Sequence, residues 1–208
     1  MTVQDFMELA IHGELQQLPI KDNEDVIISF INLGIIELYK RFNLKTEEYL
    51  LELQDNTTLY KMPNDFMYIL TAYEEMPEGA SDYDAWQAEI PVNEGANPRS
   101  INTVSYNTIQ VPLSIDGSYV SIIYAATPET ITIADLGDEL DIPNVLIEAL
   151  LNYVGYRGHS AVNSGMEGEG NVHWSKFERS CNTVKELGIA IAPDSLDSEA
   201  KLTKRGFV

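Results

Sequence analysis

The 208 residues hold a single cysteine, Cys181, and three histidines, so thiol and imidazole metal ligands are scarce. One cysteine excludes an intramolecular disulfide and cannot build a zinc site alone. His12, His159 and His173 lie far apart, with no HxxxH or HExxH spacing, so no metal site is expected. Bases are scarce as well: 13 Lys and Arg stand against 33 Asp and Glu, a formal net charge of −20. Such a surface repels phosphate and argues against a conventional DNA-binding role. No uninterrupted apolar run reaches about 18 residues, so no membrane-spanning helix is expected. The opening MTVQDFMELAIHGEL is acidic where an export signal would be basic. Catalytic motifs are missing too. There is no GxSxG, and the glycine-rich stretch 165–170 lacks the GK[ST] ending of a phosphate loop. Asp82-Tyr-Asp84 opens like a calcium loop but lacks its glycine and its final Glu. Cys181 falls on an apolar stripe, where a buried structural thiol is expected. The expectation is a protein without catalysis, cofactor or metal.

What the chain does have is centred on DELDIPNVLIEALLNYVGYRGHSAV, residues 138–162. Pro143 suits only a first helical turn, and Asp138, Glu139 and Asp141 suit the positive helix end. Beyond it Asn144, Glu148, Asn152, Gly155 and His159 recur at helical spacing, which predicts one narrow solvated stripe. The rest of that helix is apolar, so more than one side must be covered: its own subunit's core is a candidate for one side and a second subunit for the other. A second apolar helix is predicted over residues 24–42. Asp22-Asn23-Glu24-Asp25 supplies its cap and an acidic first turn, and only Asp25, Ser29, Asn32 and Lys40 form a polar strip. The two are expected to pack on each other. A short helix opens the chain, capped by Thr2, buried through Val3, Phe6, Met7 and Ala10, and ended by Gly13. A last helix near 172–187 shows Trp174, Phe177, Cys181, Val184 and Gly188 at spacings of three and four, a packing seam.

Between these helices the period shortens. Residues 49–53, 57–62, 67–73, 103–112 and 118–126 read as strands, the last two across the Asp116-Gly117 turn signal. Pro63-Asn64-Asp65-Phe66 suits one helical turn. Residues 74–98 form an acidic excursion rich in Pro and Gly, and 189–208 a weakly patterned tail. The fold class is therefore α+β: about four bundled helices (1–45 and 140–188), an antiparallel, sandwich-like insertion (46–139) and an extended C-terminal arm (189–208). Charge follows this division. Residues 46–139 hold seventeen acids against Lys61 and Arg99, whereas the two helical stretches are close to neutral. The tail holds a basic cluster, Lys201, Lys204 and Arg205, beside a terminal Phe207-Val208.

Leu140-Asp-Ile-Pro143, then Ala149-Leu-Leu-Asn-Tyr153 and Tyr156-Arg157, together with Tyr60-Lys-Met-Pro-Asn-Asp-Phe66, resemble the head-to-tail adaptors of short-tailed bacteriophages, the tail tubular protein A-like family. The resemblance implies a structural virion protein of the neck or tail, made in the host cytoplasm. It would form a dodecameric homo-oligomeric ring that joins the portal protein to a tail tube or nozzle protein. DNA would pass through without specific binding, and no membrane is involved. Candidate subunit or portal contacts are Leu150, Tyr153, Tyr156, Arg157, Lys201, Lys204, Arg205 and Phe207. Candidate channel-wall acids are Glu47, Glu48, Glu52 and Asp55. Two other readings stand beside this one: another ring or tail-completion protein of the virion neck, and a non-viral binding module using the acidic aromatic loop 74–98 around Tyr83 and Trp86.

Overall fold

A computed structural model describes residues 1–75, 89–115, 119–162 and 167–187, without the side chains of 75 and 167–169. The chain divides into two compact units, one built from Met1–Leu44 with the segment that begins at Pro128, the other from Lys45–Thr127. The first is helical: α1 (Val3–His12), α2 (Glu24–Phe42), α3 (Ile147–Val162) and α4 (Glu167–Glu186). The second holds, among the described residues, seven strands: β1 (Thr46–Glu52), β2 (Leu59–Lys61), β3 (Phe66–Glu75), β4 (Glu89–Ile90), β5 (Asn102–Ser105), β6 (Thr108–Gln110) and β7 (Tyr119–Ala126). The fold is α+β, as expected.

Helix ends follow the local chemistry. Thr2 Oγ1 accepts from the Asp5 amide at 3.1 Å while the Asp5 carboxylate accepts from the Thr2 amide at 3.0 Å, a reciprocal cap. Those bonds hold the Asp5 carboxyl below its ordinary range. The remaining free amides at this end, of Val3 and Gln4, donate to the carbonyls of Asp138 and Leu136. Asn23 Oδ1 accepts from the Val26 amide and starts α2. At the far end Asn43 takes the left-handed conformation, φ 49°, that closes the helix. Before α3, Pro143 precedes a 3-10 turn over Asn144–Leu146, so the α-helix proper begins at Ile147.

The linker 128–142 belongs with the helical unit, twelve residues of it earlier than the boundary read from the sequence. Charge and short period masked this. Asn32 of α2 makes a reciprocal pair with the backbone of Ile131, donating at 2.8 Å and accepting at 2.9 Å. Tyr39 Oη donates to Asp141 Oδ2 at 2.9 Å, and burial with that carboxylate pushes the phenol pKa up.

In the other unit β7 is central: one sheet has the order β1-β7-β3-β4, the second β2-β6-β5, all pairs antiparallel. Leu51, Phe66, Ala72, Val120, Ile122 and Tyr124 of the first sheet share one core with Tyr60, Ile101 and Ile109 of the second. Buried neighbours from Val120 to Ala126 give β7 the two-sided burial expected of it. Two strand readings change. Residues 103–112 fold back on themselves as β5 and β6, and β6 and β7 belong to different sheets rather than to one hairpin. Asp116-Gly117 itself lies outside the described residues. Pro63–Phe66 forms a turn, with the Phe66 amide donating to the Pro63 carbonyl, not a helical turn.

Candidate functional site

Helix α3 is enclosed from several directions within one subunit. On one side Gly34 of α2 lets Leu150 and Tyr153 approach so closely that a Cβ on Gly34 would stand 2.4 Å from Leu150 Cδ1. On another, Tyr153 meets Phe177 of α4 edge-on at 5.3 Å, and Tyr156 tilts against Trp174 at 5.1 Å. Near its C-terminal end Gly158 admits Leu15, Leu18 and Ile20. The second apolar side, for which another subunit was one candidate cover, is covered by α4 and by residues 15–20 of the same chain.

The predicted solvated stripe is corrected in the same way. Asn144 and Glu148 are exposed, but Asn152, Gly155 and His159 are buried. Asn152 satisfies its amide on the Glu148 carbonyl, as an interior polar group must. His159 Nε2 lies 3.1 Å from the Glu14 carbonyl oxygen, and its ring stacks on His173 of α4 at 4.8 Å. His173 Nδ1 lies 3.3 Å from Glu14 Oε2. Histidines 14 residues apart on two helices give no local spacing signal, which is why the sequence reading left them scattered. Among the described residues no group of three or more His, Cys, Asp or Glu could hold a metal ion.

The α2–α4 edge carries a second arrangement that sequence alone missed. Arg41 donates through both terminal nitrogens to the two carboxylate oxygens of Glu178, at 3.0 and 2.8 Å, and through Nε to Glu37 at 2.9 Å. Its guanidinium also lies over the Phe177 ring, 4.6 Å from the centroid. The pairing raises the Arg41 pKa and holds the Glu178 carboxyl below its ordinary value. Glu37 and Arg41 sit four apart and were legible as a helical pair; Glu178 is 137 residues away. Behind them Cys181 is buried, and burial pushes its thiol up to about 11, the state of an inert thiol.

The candidate contact residues now separate. Leu150 is wholly buried and Tyr153 nearly so, inside the subunit's own core, so neither offers surface to a neighbour. Tyr156 and Arg157 are half-buried, and Arg157 lies over the Phe30 ring at 5.9 Å. Its Nε is buried without a hydrogen-bond partner. Lys201, Lys204, Arg205 and Phe207 lie outside the described residues, as do Gly188 and the Tyr83 and Trp86 of the acidic loop.

On the β unit, strand alternation divides the candidate acids. Glu48, Leu50 and Glu52 share one face of the edge strand β1, whereas Glu47 shares the other with Tyr49 and Leu51. Glu48 accepts a hydrogen bond from the buried Ser121, and Glu47 has Lys45 3.8 Å away. Glu52 and Asp55 come together on a cleft of about 670 Å³, with Tyr60, Leu113, Ile115 and Tyr119 among its walls. Tyr60 Oη, at the cleft wall, accepts from the Gln54 amide at 2.9 Å and donates to the Thr57 carbonyl at 3.0 Å, so it fixes the turn that carries Asp55.

A helical unit interrupted by an acidic antiparallel β unit is the arrangement seen here, and the family described as SU10 adaptor protein matches residues 1–194. The chain belongs to that family. SU10 adaptor proteins are phage head–tail adaptors, so the role is structural and the resemblance to adaptors is upheld. The match covers both units and ends within the tail. No curated protein matches the sequence. Among the described residues, no helix of this adaptor is long and apolar enough to cross a membrane.

Proposed function

We propose that this adaptor is one subunit of a closed ring in the virion neck, set between the portal and a tail tube or nozzle protein, and that the ring continues the DNA channel. The observation that carries the reading is the density of carboxylates with few bases among them in the β unit. Residues 45–127 hold thirteen carboxylates against Lys45, Lys61 and Arg99, a net of −10 in 83 residues, while the other 125 residues hold twenty acids against ten bases. A carboxylate-lined wall repels phosphate and limits adhesion of DNA that must move past it. Glu48, Glu52 and Asp55 are the exposed acids proposed for that wall. Tyr156 and Arg157 are the surface residues of α3 proposed for contact with a neighbour or the portal. A dodecamer is the copy number that the resemblance implies.

On this reading the work is mechanical and the protein catalyses nothing. Electron microscopy of particle necks tests the proposal: a ring of this chain below the portal is expected, and its absence from the neck overturns it. Hydrolysis by the purified protein that a point substitution abolishes would overturn the non-catalytic reading separately.

A further inference from the structure

Glu52 and Tyr119 face each other across β1 and β7, so a carboxylate and an exposed aromatic edge stand side by side at the mouth of the cleft. Direct cross-strand neighbours are about 5 Å apart at Cβ. Asp55 adds a second carboxylate and Leu113, 63 % exposed, an apolar wall. The described part of the helical unit ends at Leu187, and 188–208 continue beyond it as LTKRGFV-ended sequence. In that sequence Arg205 and Phe207 are two apart. On an extended chain residues two apart face the same way, roughly 7 Å from each other, which matches an acid beside an aromatic edge. Lys201 and Lys204 add charge of the sign that the cleft lacks.

We infer that the cleft of Glu52, Asp55, Leu113 and Tyr119 receives the C-terminal residues 201–208 of a second copy of this chain. Arg205 meets the Glu52 carboxylate and Phe207 packs on Tyr119 and Leu113. The volume lies within the roughly 300–1,000 Å³ that suits a small ligand or a few side chains. The segment 188–208 spans up to about 70 Å when extended, enough to reach a neighbouring subunit. The inference rests on the ring reading. In a head-to-tail ring each subunit offers one surface to one neighbour and a different surface to the other, and an arm with its receiving cleft is such a pair.

The test uses full-length chains and two engineered thiols. One chain carries Leu113→Cys, the other Phe207→Cys, and they are mixed in equal amounts with a short bis-maleimide while sedimentation reports assembly. Buried Cys181 does not compete. A one-to-one cross-link is expected, its yield reduced roughly five- to ten-fold when Glu52→Lys and Asp55→Lys are added to the Leu113→Cys chain. A ring that forms without that cross-link, or with a cross-link indifferent to the charge reversals, overturns this inference and leaves the ring standing. If a chain that carries both Leu113→Cys and Phe207→Cys cross-links within itself and not to a second copy, the arm belongs to its own cleft and the inference is wrong. If neither ring nor cross-link forms, the ring reading fails and takes the inference with it.

Discussion

The two units of this adaptor are closed by different means. Among the described residues the β unit is contiguous, and its two sheets draw one core from residues between Leu51 and Ala126. The helical unit is interrupted, and it closes only by joining the two ends of the sequence. Asn32 to Ile131, Tyr39 to Asp141, Arg41 to Glu178 and Glu14 to His159 each span 99 residues or more. It also accepts polar groups inside, where Asn152, His159 and His173 are buried. Among the described residues of the β unit the buried polar ones are the small Ser100 and Ser121. A unit built from distant pieces relies on specific long-range pairings, whereas a contiguous unit relies on alternation and turns.

The sharpest way to break this comparison is a charge in the helical core. Leu150→Asp places an unpaired carboxylate against Gly34 and Tyr153, with an expected loss of about 3–5 kcal/mol. Far-ultraviolet circular dichroism should show the helices melted. A soluble variant with wild-type helicity would remove α3 from the core.

Next in size is Gly158→Leu, which drives a side chain into Leu15 and Leu18. A Cβ there already stands 2.4 Å from Leu15 Cδ2, so overpacking of about 1–3 kcal/mol is expected in urea denaturation. An unchanged midpoint would show that the 15–20 segment is not packed on α3.

Arg41→Met tests the pairing across the ends of the chain. It removes the bidentate bond to Glu178 but keeps apolar contact with Phe177, and an effect of about 1–2 kcal/mol is expected. Its pH dependence has a definite sign. Glu178 is held below its ordinary pKa in the folded state, so its contribution is complete above the unfolded value, about 4.3. That contribution is lost as pH falls through the lowered folded value. Wild type and Arg41→Met should therefore differ near neutral pH and converge in acid. A difference that persists unchanged into strong acid would assign the effect to packing.

The smallest expected effect lies in the β unit. Tyr60→Phe removes the hydroxyl shared by Gln54 and Thr57, at a cost of about 1 kcal/mol, while helicity stays intact. Equal loss of helical signal in this variant would erase the distinction between the units.

Several local features were written in the sequence. The Thr2–Asp5 cap, the bounds of α2, the buried face of α1 and the two-sided burial of β7 follow from side-chain period and cap residues. So did the concentration of carboxylates between residues 46 and 139. Which side of α3 faces water did not follow. Asn152, Gly155 and His159 are polar or small, and period alone assigns such residues to solvent. Only the approach of α4 and of Glu14 supplied the partners that make their burial inexpensive. Leu150 is apolar and suits a core or an interface equally by period; its burial against Gly34 of α2 assigns it to the core. The grouping of Glu52 and Asp55 with Leu113 and Tyr119 on one cleft was equally invisible. Strand pairing brings together positions that are more than fifty residues apart, and no local period records such a pairing.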